Sequence, residues 1–154
     1  MIKEKSRMVD YIDTDIINAL EKNARVSFSY IGKKLEISGP AVGERVKRLK
    51  DKQVIDGFGV RINLETLGYS IVALVRIKPI SGQHKAVEKA ICQQTRFMSC
   101  DRVTGSDCYV AKLALVNVAE LDDILSTLHK IADTDTSIIK SSLIDFRLPP
   151  LIPK

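Results

Sequence analysis

The run Ser38-Gly39-Pro40-Ala41-Val42-Gly43-Glu44-Arg45-Val46-Lys47-Arg48-Leu49 constrains what this chain can fold into more than any other stretch. Ser38 is a helix-capping residue type, whose hydroxyl accepts a bond from an otherwise unpaired N–H of the first turn. Val42, Val46 and Leu49 follow at i, i+4 and i+7, one face of a helix. Pro40 is tolerated in a first turn, where its missing N–H would have had no partner. Arg45, Lys47, Arg48, Lys50 and Lys52 occupy the other faces. A short helix pinned along one side and basic on the rest is what a DNA major groove admits. Two amphipathic segments precede it, the nearer one very short, which is the layout of a helix-turn-helix with this segment as its recognition helix.

The preceding elements carry their own signals. A first helix is expected from Asp10 to Asn23, capped by Asp10, with Asp13 at a position where a carboxylate suits the positive helix end. Ile12, Ile16, Ile17 and Leu20 form its apolar stripe. Ser27 caps a second helix over Phe28–Leu35, with Ile31 and Leu35 inward, and Ile37 plugs the core from the turn. The alternation and paired glycines of Ile55–Val60 fit a short strand or wing. Residues 1–61 are read as a winged helix-turn-helix domain, 62–69 as a linker ending in a tight turn at Leu67-Gly68-Tyr69, and 70–154 as a second domain.

Charge supports this division. Residues 1–61 hold 13 Lys and Arg against 9 Asp and Glu, whereas 62–154 hold 11 against 10. The basic excess thus lies in the half with the helix-turn-helix pattern, as a reader of nucleic acid requires. No stretch is long and apolar enough to span a membrane, and charges throughout Met1–Asp10 argue against a secretory signal. Cys92, Cys100 and Cys108 are odd in number and lack metal spacing, so they read as cytosolic thiols. A cytoplasmic, nucleoid-associated protein is expected. Neither a metal nor a cofactor is expected, and no base–nucleophile pairing or phosphate loop marks an enzyme.

The second half changes period. Strands are expected at Ser70–Lys78, Phe97–Thr104, Cys108–Val116 and Thr136–Phe146, with helices at His84–Thr95 and Ala119–Ala132. The order β-α-β-β-α-β is the ferredoxin-like unit, so the fold class is α+β. The first strand is apolar on both faces, with Ile71, Ala73, Val75 and Ile77 on one and Val72 and Leu74 on the other. Two helices cover one face of such a sheet, and a second copy of it is the simplest cover for the other. Pro149, Pro150 and Pro153 make the tail an extended arm rather than a helix.

Taken in order, these features resemble the Lrp/AsnC family of feast/famine transcriptional regulators. The resemblance runs from about Val9 to Phe146. It rests on Val9-Asp10-Tyr11-Ile12-Asp13 before Ile16-Ile17, Ala24-Arg25-Val26-Ser27, and Ile37-Ser38 leading to Arg45-Val46-Lys47-Arg48-Leu49. Val54-Ile55-Asp56-Gly57-Phe58, Leu67-Gly68-Tyr69 and Val103-Thr104-Gly105 before Asp107-Cys108-Tyr109 complete it. The resemblance implies homodimers on double-stranded DNA, joined through their sheets and assembled into octamers or related rings. It also implies an amino-acid effector bound between dimers near the Gly105 loop.

This chain departs from the family pattern at four places. Glu36 and Gln53 stand where the family usually has Gly, so a left-handed backbone at some strain is expected there. Ser106 and Cys108 stand where the family often has acidic residues, and only Asp107 between them is acidic. The loop therefore takes a different ligand, or none.

The candidate DNA-binding residues are Ser38, Gly39, Pro40, Gly43, Glu44, Arg45, Lys47 and Arg48. Gly39, Pro40, Gly43, Glu44 and Lys47 are expected outward, and Lys47 reaches guanine or Glu44 cytosine. Few of these make bidentate base contacts, so DNA shape and bending are expected to carry much of the specificity. Gly43 costs the helix roughly 1 kcal/mol relative to Ala, explained either by drift or by close approach of backbone to DNA. Arg45 and Arg48 either clamp phosphates or pair with Glu44, Asp51 or Asp13. The candidate effector residues are Thr104, Gly105, Ser106, Asp107 and Cys108, with Thr136 and Ser137 on the last strand. Gly105-Ser106-Asp107 is a plain β-turn on one reading. On the other it is a pocket, with backbone groups meeting the ligand carboxylate and Asp107 its ammonium. A ligand-independent, DNA-bending architectural protein is one rival reading, and a ferredoxin-like metabolite-binding module or enzyme is another.

Overall fold

A computed structural model describes residues 9–152. They form two compact units. One runs to Val60 and takes in the residues from Ile144 onward, which the sequence assigns to the second half; the other is Arg61–Leu143.

The first unit is three helices, α1 (Tyr11–Lys22), α2 (Phe28–Leu35) and α3 (Gly39–Asp51). Each starts at the expected cap: Asp10, Ser27 and Ser38 accept from the backbone N–H of Asp13, Tyr30 and Ala41. Ile16, Leu20, Ile31, Val42 and Val46 form the core, and Ile37 packs against it from the turn between α2 and α3. Glu36 in that turn and Gln53 after α3 take φ of 57° and 56°, the left-handed conformation expected of them. Ile55–Val60 forms no strand, contrary to the wing expected there. Its residues beyond Ile55 are exposed, and the Ile55 N–H donates to the Leu49 carbonyl at the end of α3 rather than to a neighbouring strand.

The second unit has the expected β-α-β-β-α-β order: β1 (Ile71–Pro79), α4 (His84–Gln93), β2 (Phe97–Arg102), β3 (Tyr109–Leu115), α5 (Val118–Leu128) and β4 (Ala132–Ile138). The sheet is antiparallel in the order β2-β3-β1-β4. Ala73, Val75 and Ile77 of β1 and Tyr109, Ala111, Leu113 and Leu115 of β3 pack against Val87, Ile91, Leu121, Ile124, Leu125 and Leu128 of the helices. Val72, Leu74, Val110 and Ala114 stand on the opposite face by the same register.

Several boundaries differ from expectation, most of all in the last strand, which was expected to reach Phe146 and ends at Ile138. α5 ends at Leu128 rather than Ala132, and β4 begins there rather than at Thr136. β4 reads Ala-Asp-Thr-Asp-Thr-Ser-Ile, a polar run whose two Asp are depleted in strands. It is an edge strand bonded only to β1, where charged residues are tolerated and discourage further pairing. The connecting segment is tied down at its end: Arg96 pairs with Glu120 and donates to the Tyr69 hydroxyl at 3.0 Å. Ser70 donates to the Val116 carbonyl at 2.6 Å. No helix among the described residues is long and apolar enough to cross a membrane.

Candidate nucleic-acid interface

Helix α3 has three differently occupied sides. Val42, Val46 and Leu49 are buried in the core. A second flank meets α2: a Cβ on Gly39 would stand 2.9 Å from Ser29 Oγ and 3.2 Å from its Cα, and one on Gly43 would touch the Phe28 ring at 3.4 Å. Gly39 and Gly43 were expected to face outward, and this corrects that reading. At Gly39 the approach of the two helices excludes a side chain, which would meet backbone, whereas at Gly43 a methyl would make ordinary contact. Gly32 is tighter still, since its Cβ would lie 2.6 Å from the Ile37 carbonyl oxygen.

The third side faces α1 and is ionic. Arg45 Nη1 donates to Asp10 Oδ2 at 2.6 Å and to Asp13 Oδ1 at 2.8 Å. Arg48 Nη2 donates to both oxygens of Asp13, at 3.0 and 2.8 Å. The Asp13 side chain is 1% exposed, against 24% for Arg45 and 43% for Arg48. Of the two alternatives for these arginines, this geometry favours pairing with Asp13 over clamping phosphate. Burial works against the charge of Asp10, but the Arg45 and Asp13 N–H hydrogen bonds and both guanidinium charges outweigh it, holding its carboxyl below the usual range. The hydrogen bonds to Asp10 and Asp13 raise Arg45 in turn. Asp10 carries only a helix-capping role in the sequence reading, whereas Asp13 is among the partners weighed there for Arg45 and Arg48. The i, i+3 spacing of the two aspartates, matched by that of Arg45 and Arg48, was the available signal.

What remains outward on α3 is Pro40, Ala41, Glu44, Lys47, Lys50 and Asp51, all exposed. The Ser38 hydroxyl accepts from the Ala41 N–H at 3.2 Å. Lys33 is exposed on α2, and Lys34 lies 4.8 Å from the centre of the Tyr30 ring.

In the second unit, residues 103–108 link β2 to β3. The Val103 N–H donates to the Cys108 carbonyl at 2.8 Å, and the Tyr109 N–H to the Asp107 carbonyl at 2.7 Å. That second bond closes a three-residue turn on Cys108, at φ 60°. Cys108 therefore precedes β3 rather than opening it, as the sequence was read. Thr104, Gly105 and Ser106 are exposed, Asp107 is half-buried, and the Ser106 hydroxyl lies 3.3 Å from Asp107 Oδ1. Beneath the loop, Tyr109 donates to Glu88 Oε1 at 2.8 Å, and Arg102 bonds Glu88 and the Tyr109 hydroxyl. Three elements meet there, a cluster with no sequence signal. Thr136 and Ser137 are on β4, separated from β3 by β1. They sit on opposite faces, level with Val75 and Leu74, so one protomer does not gather all seven candidate effector residues.

The three cysteines are free, and burial, with Asp101 and Cys92 nearby, pushes the Cys100 thiol up. No group of three or more potential metal ligands occurs among the described residues.

Comparison with known proteins gives matching assignments. Residues 9–50 match the model of the AsnC-type helix-turn-helix domain, and residues 72–149 that of the Lrp/AsnC ligand binding domain. The HTH-type transcriptional regulator LrpB of Bacillus subtilis is 30% identical over 79% of this chain and 82% of its own. The structure of B. subtilis LrpC matches with a TM-score of 0.84 at 25% identity, covering 90% of this chain and 99% of that one. A feast or famine regulatory protein of Mycobacterium tuberculosis, in complex with L-methionine, matches at 0.84 and 26% identity, covering 92% and 99%.

Proposed function

The chain belongs to the Lrp/AsnC family of helix-turn-helix transcriptional regulators, and from that premise we propose how it engages DNA and what regulates it. The outward row of α3 carries the reading. With one side in the core, one on α2 and one tied to α1, Pro40, Glu44 and Lys47 face the groove. Ser38 and the first-turn backbone stand beside phosphate. Lys47 contacts guanine or phosphate and Glu44 accepts from cytosine. So few side chains leave much of the specificity to DNA shape. Two recognition helices act together in a homodimer joined through the sheet face bearing Val72, Leu74, Val110 and Ala114, and octamers or related rings of dimers wrap DNA in the nucleoid.

The effector is an amino acid. Its ammonium meets Asp107 and its carboxylate meets backbone groups of residues 104–108, with Thr136 and Ser137 supplied by a neighbouring copy. The complex of the M. tuberculosis relative with L-methionine supports this class of ligand. Such a ligand shifts DNA affinity only through different affinities for two states of the assembly.

A thermal-shift screen against the twenty amino acids tests the effector, because a ligand of the folded state alone raises the melting temperature. A hit abolished by Asp107→Ala supports the pocket. No hit, with assembly size unchanged, favours the ligand-independent architectural reading. For DNA, affinity is expected to fall linearly with salt on logarithmic axes.

A further inference from the structure

Resting on the DNA-binding reading above, we infer that Asp13 is a positioning residue that withholds two arginines of the recognition helix from the DNA backbone. Its carboxylate is almost wholly buried, yet it receives both Arg45 and Arg48 from α3, with Asp10 taking a further bond from Arg45. Two carboxylates thus neutralise two guanidiniums. An arginine free to reach phosphate adds affinity for every sequence alike. Holding both on α1 leaves the contact to the outward row of Pro40, Glu44 and Lys47. Sequence-independent affinity is lowered, and the ratio of specific to non-specific binding rises.

The geometry also fixes orientation. Arg45 and Arg48 lie one helical turn apart, and a single carboxylate receives both, so α3 can neither rotate nor slide against α1 without breaking a bond to Asp13. The helix reaches DNA already set.

The test measures binding of the full chain, over a salt series with slopes expressed per bound protomer, to a mixed-sequence duplex and to one selected by the wild-type protein from a random pool. Arg48→Gln is expected to leave the salt slope unchanged on both. A slope shallower by about 0.9 would place Arg48 on a phosphate and overturn the inference. Asp13→Asn, with folding checked by circular dichroism, is expected to bind the mixed duplex several-fold tighter. Its slope should steepen by up to about 1.8 as two arginines are released, and the ratio between duplexes should fall. A folded Asp13→Asn with unchanged slope and ratio also overturns it. If Asp13→Asn does not fold, Arg48→Gln decides alone. Lys47→Gln serves as the control, expected to lose about 0.9 of slope. Wild-type protein that binds neither duplex defeats the DNA-binding reading itself, and this inference with it, a result separable from the others.

Discussion

Asp10 and Asp13 each serve two structures at once. They cap α1 reciprocally, Asp13 N–H to Asp10 Oδ1 at 2.7 Å and Asp10 N–H to Asp13 Oδ2 at 3.4 Å, and they bind the arginines of α3. The pairing has a pH signature. Arg45 depresses Asp10 against the effect of burial; the Tyr109 hydrogen bond depresses Glu88, and the Val116 N–H bond depresses Glu120. A folded-state pKa below the unfolded value means the unfolded chain binds more protons in acid. The contribution is complete above the ordinary values of 3.8 and 4.5 and is lost as pH falls through the lower folded ones. The melting temperature is therefore expected to decline below pH 4.5, and Glu120→Gln to flatten that decline. Thermal melts across an acid series check both. Glu36 makes a second residue-level case. At φ 57° an L side chain costs about 1–2 kcal/mol. Glu36→Gly is expected to add up to about 1 kcal/mol after the greater freedom of glycine in the unfolded chain is deducted. Urea midpoints would show it.

Among the elements, the α2–α3 contact depends on side chains that are missing. Gly32→Ala would place a methyl 2.6 Å from a backbone oxygen, and an overpacked site of this kind costs about 1–3 kcal/mol. Gly43→Ala is expected to act in the opposite direction. Its methyl fits against Phe28 at 3.4 Å, and the helix gains up to about 1 kcal/mol of propensity. Denaturant unfolding of the two variants should give opposite signs. Unchanged DNA affinity in Gly43→Ala would remove any role of this glycine at the DNA, whereas a loss would restore the role of backbone approach to DNA. The helix boundaries of this unit were legible because each cap is a local signal read within four residues. The tight packing around Gly32 and Gly39 was not, since it depends on how two helices cross.

For the molecule as a whole, the proposed assembly rests on the sheet. One face of β1 and β3 is filled by α4 and α5, and the other carries Val72, Leu74, Val110 and Ala114. Leu74→Lys, opposite Lys112 on one side and Ser137 on the other, is expected to shift sedimentation toward the monomer with the fold retained. Retention of the wild-type assembly would place the interface elsewhere. The candidate effector residues make the same point about scale. Loop 103–108 lies at one end of the β2–β3 hairpin, and Thr136 and Ser137 lie on the far edge strand.

The amino-acid sequence by itself determined the three caps, the apolar stripes of α1 and α3, and the order of strands and helices. All of these rest on interactions within a few residues of chain or on periodicity along it. Only the tertiary structure decided that Ile55–Val60 has no strand partner, that polar Ala132–Ile138 is the strand beside β1, and that Gly39 and Gly43 face α2. It alone joined Asp13 to Arg45 and Arg48, because charges more than thirty residues apart are brought together by helix packing and have many other partners available in sequence.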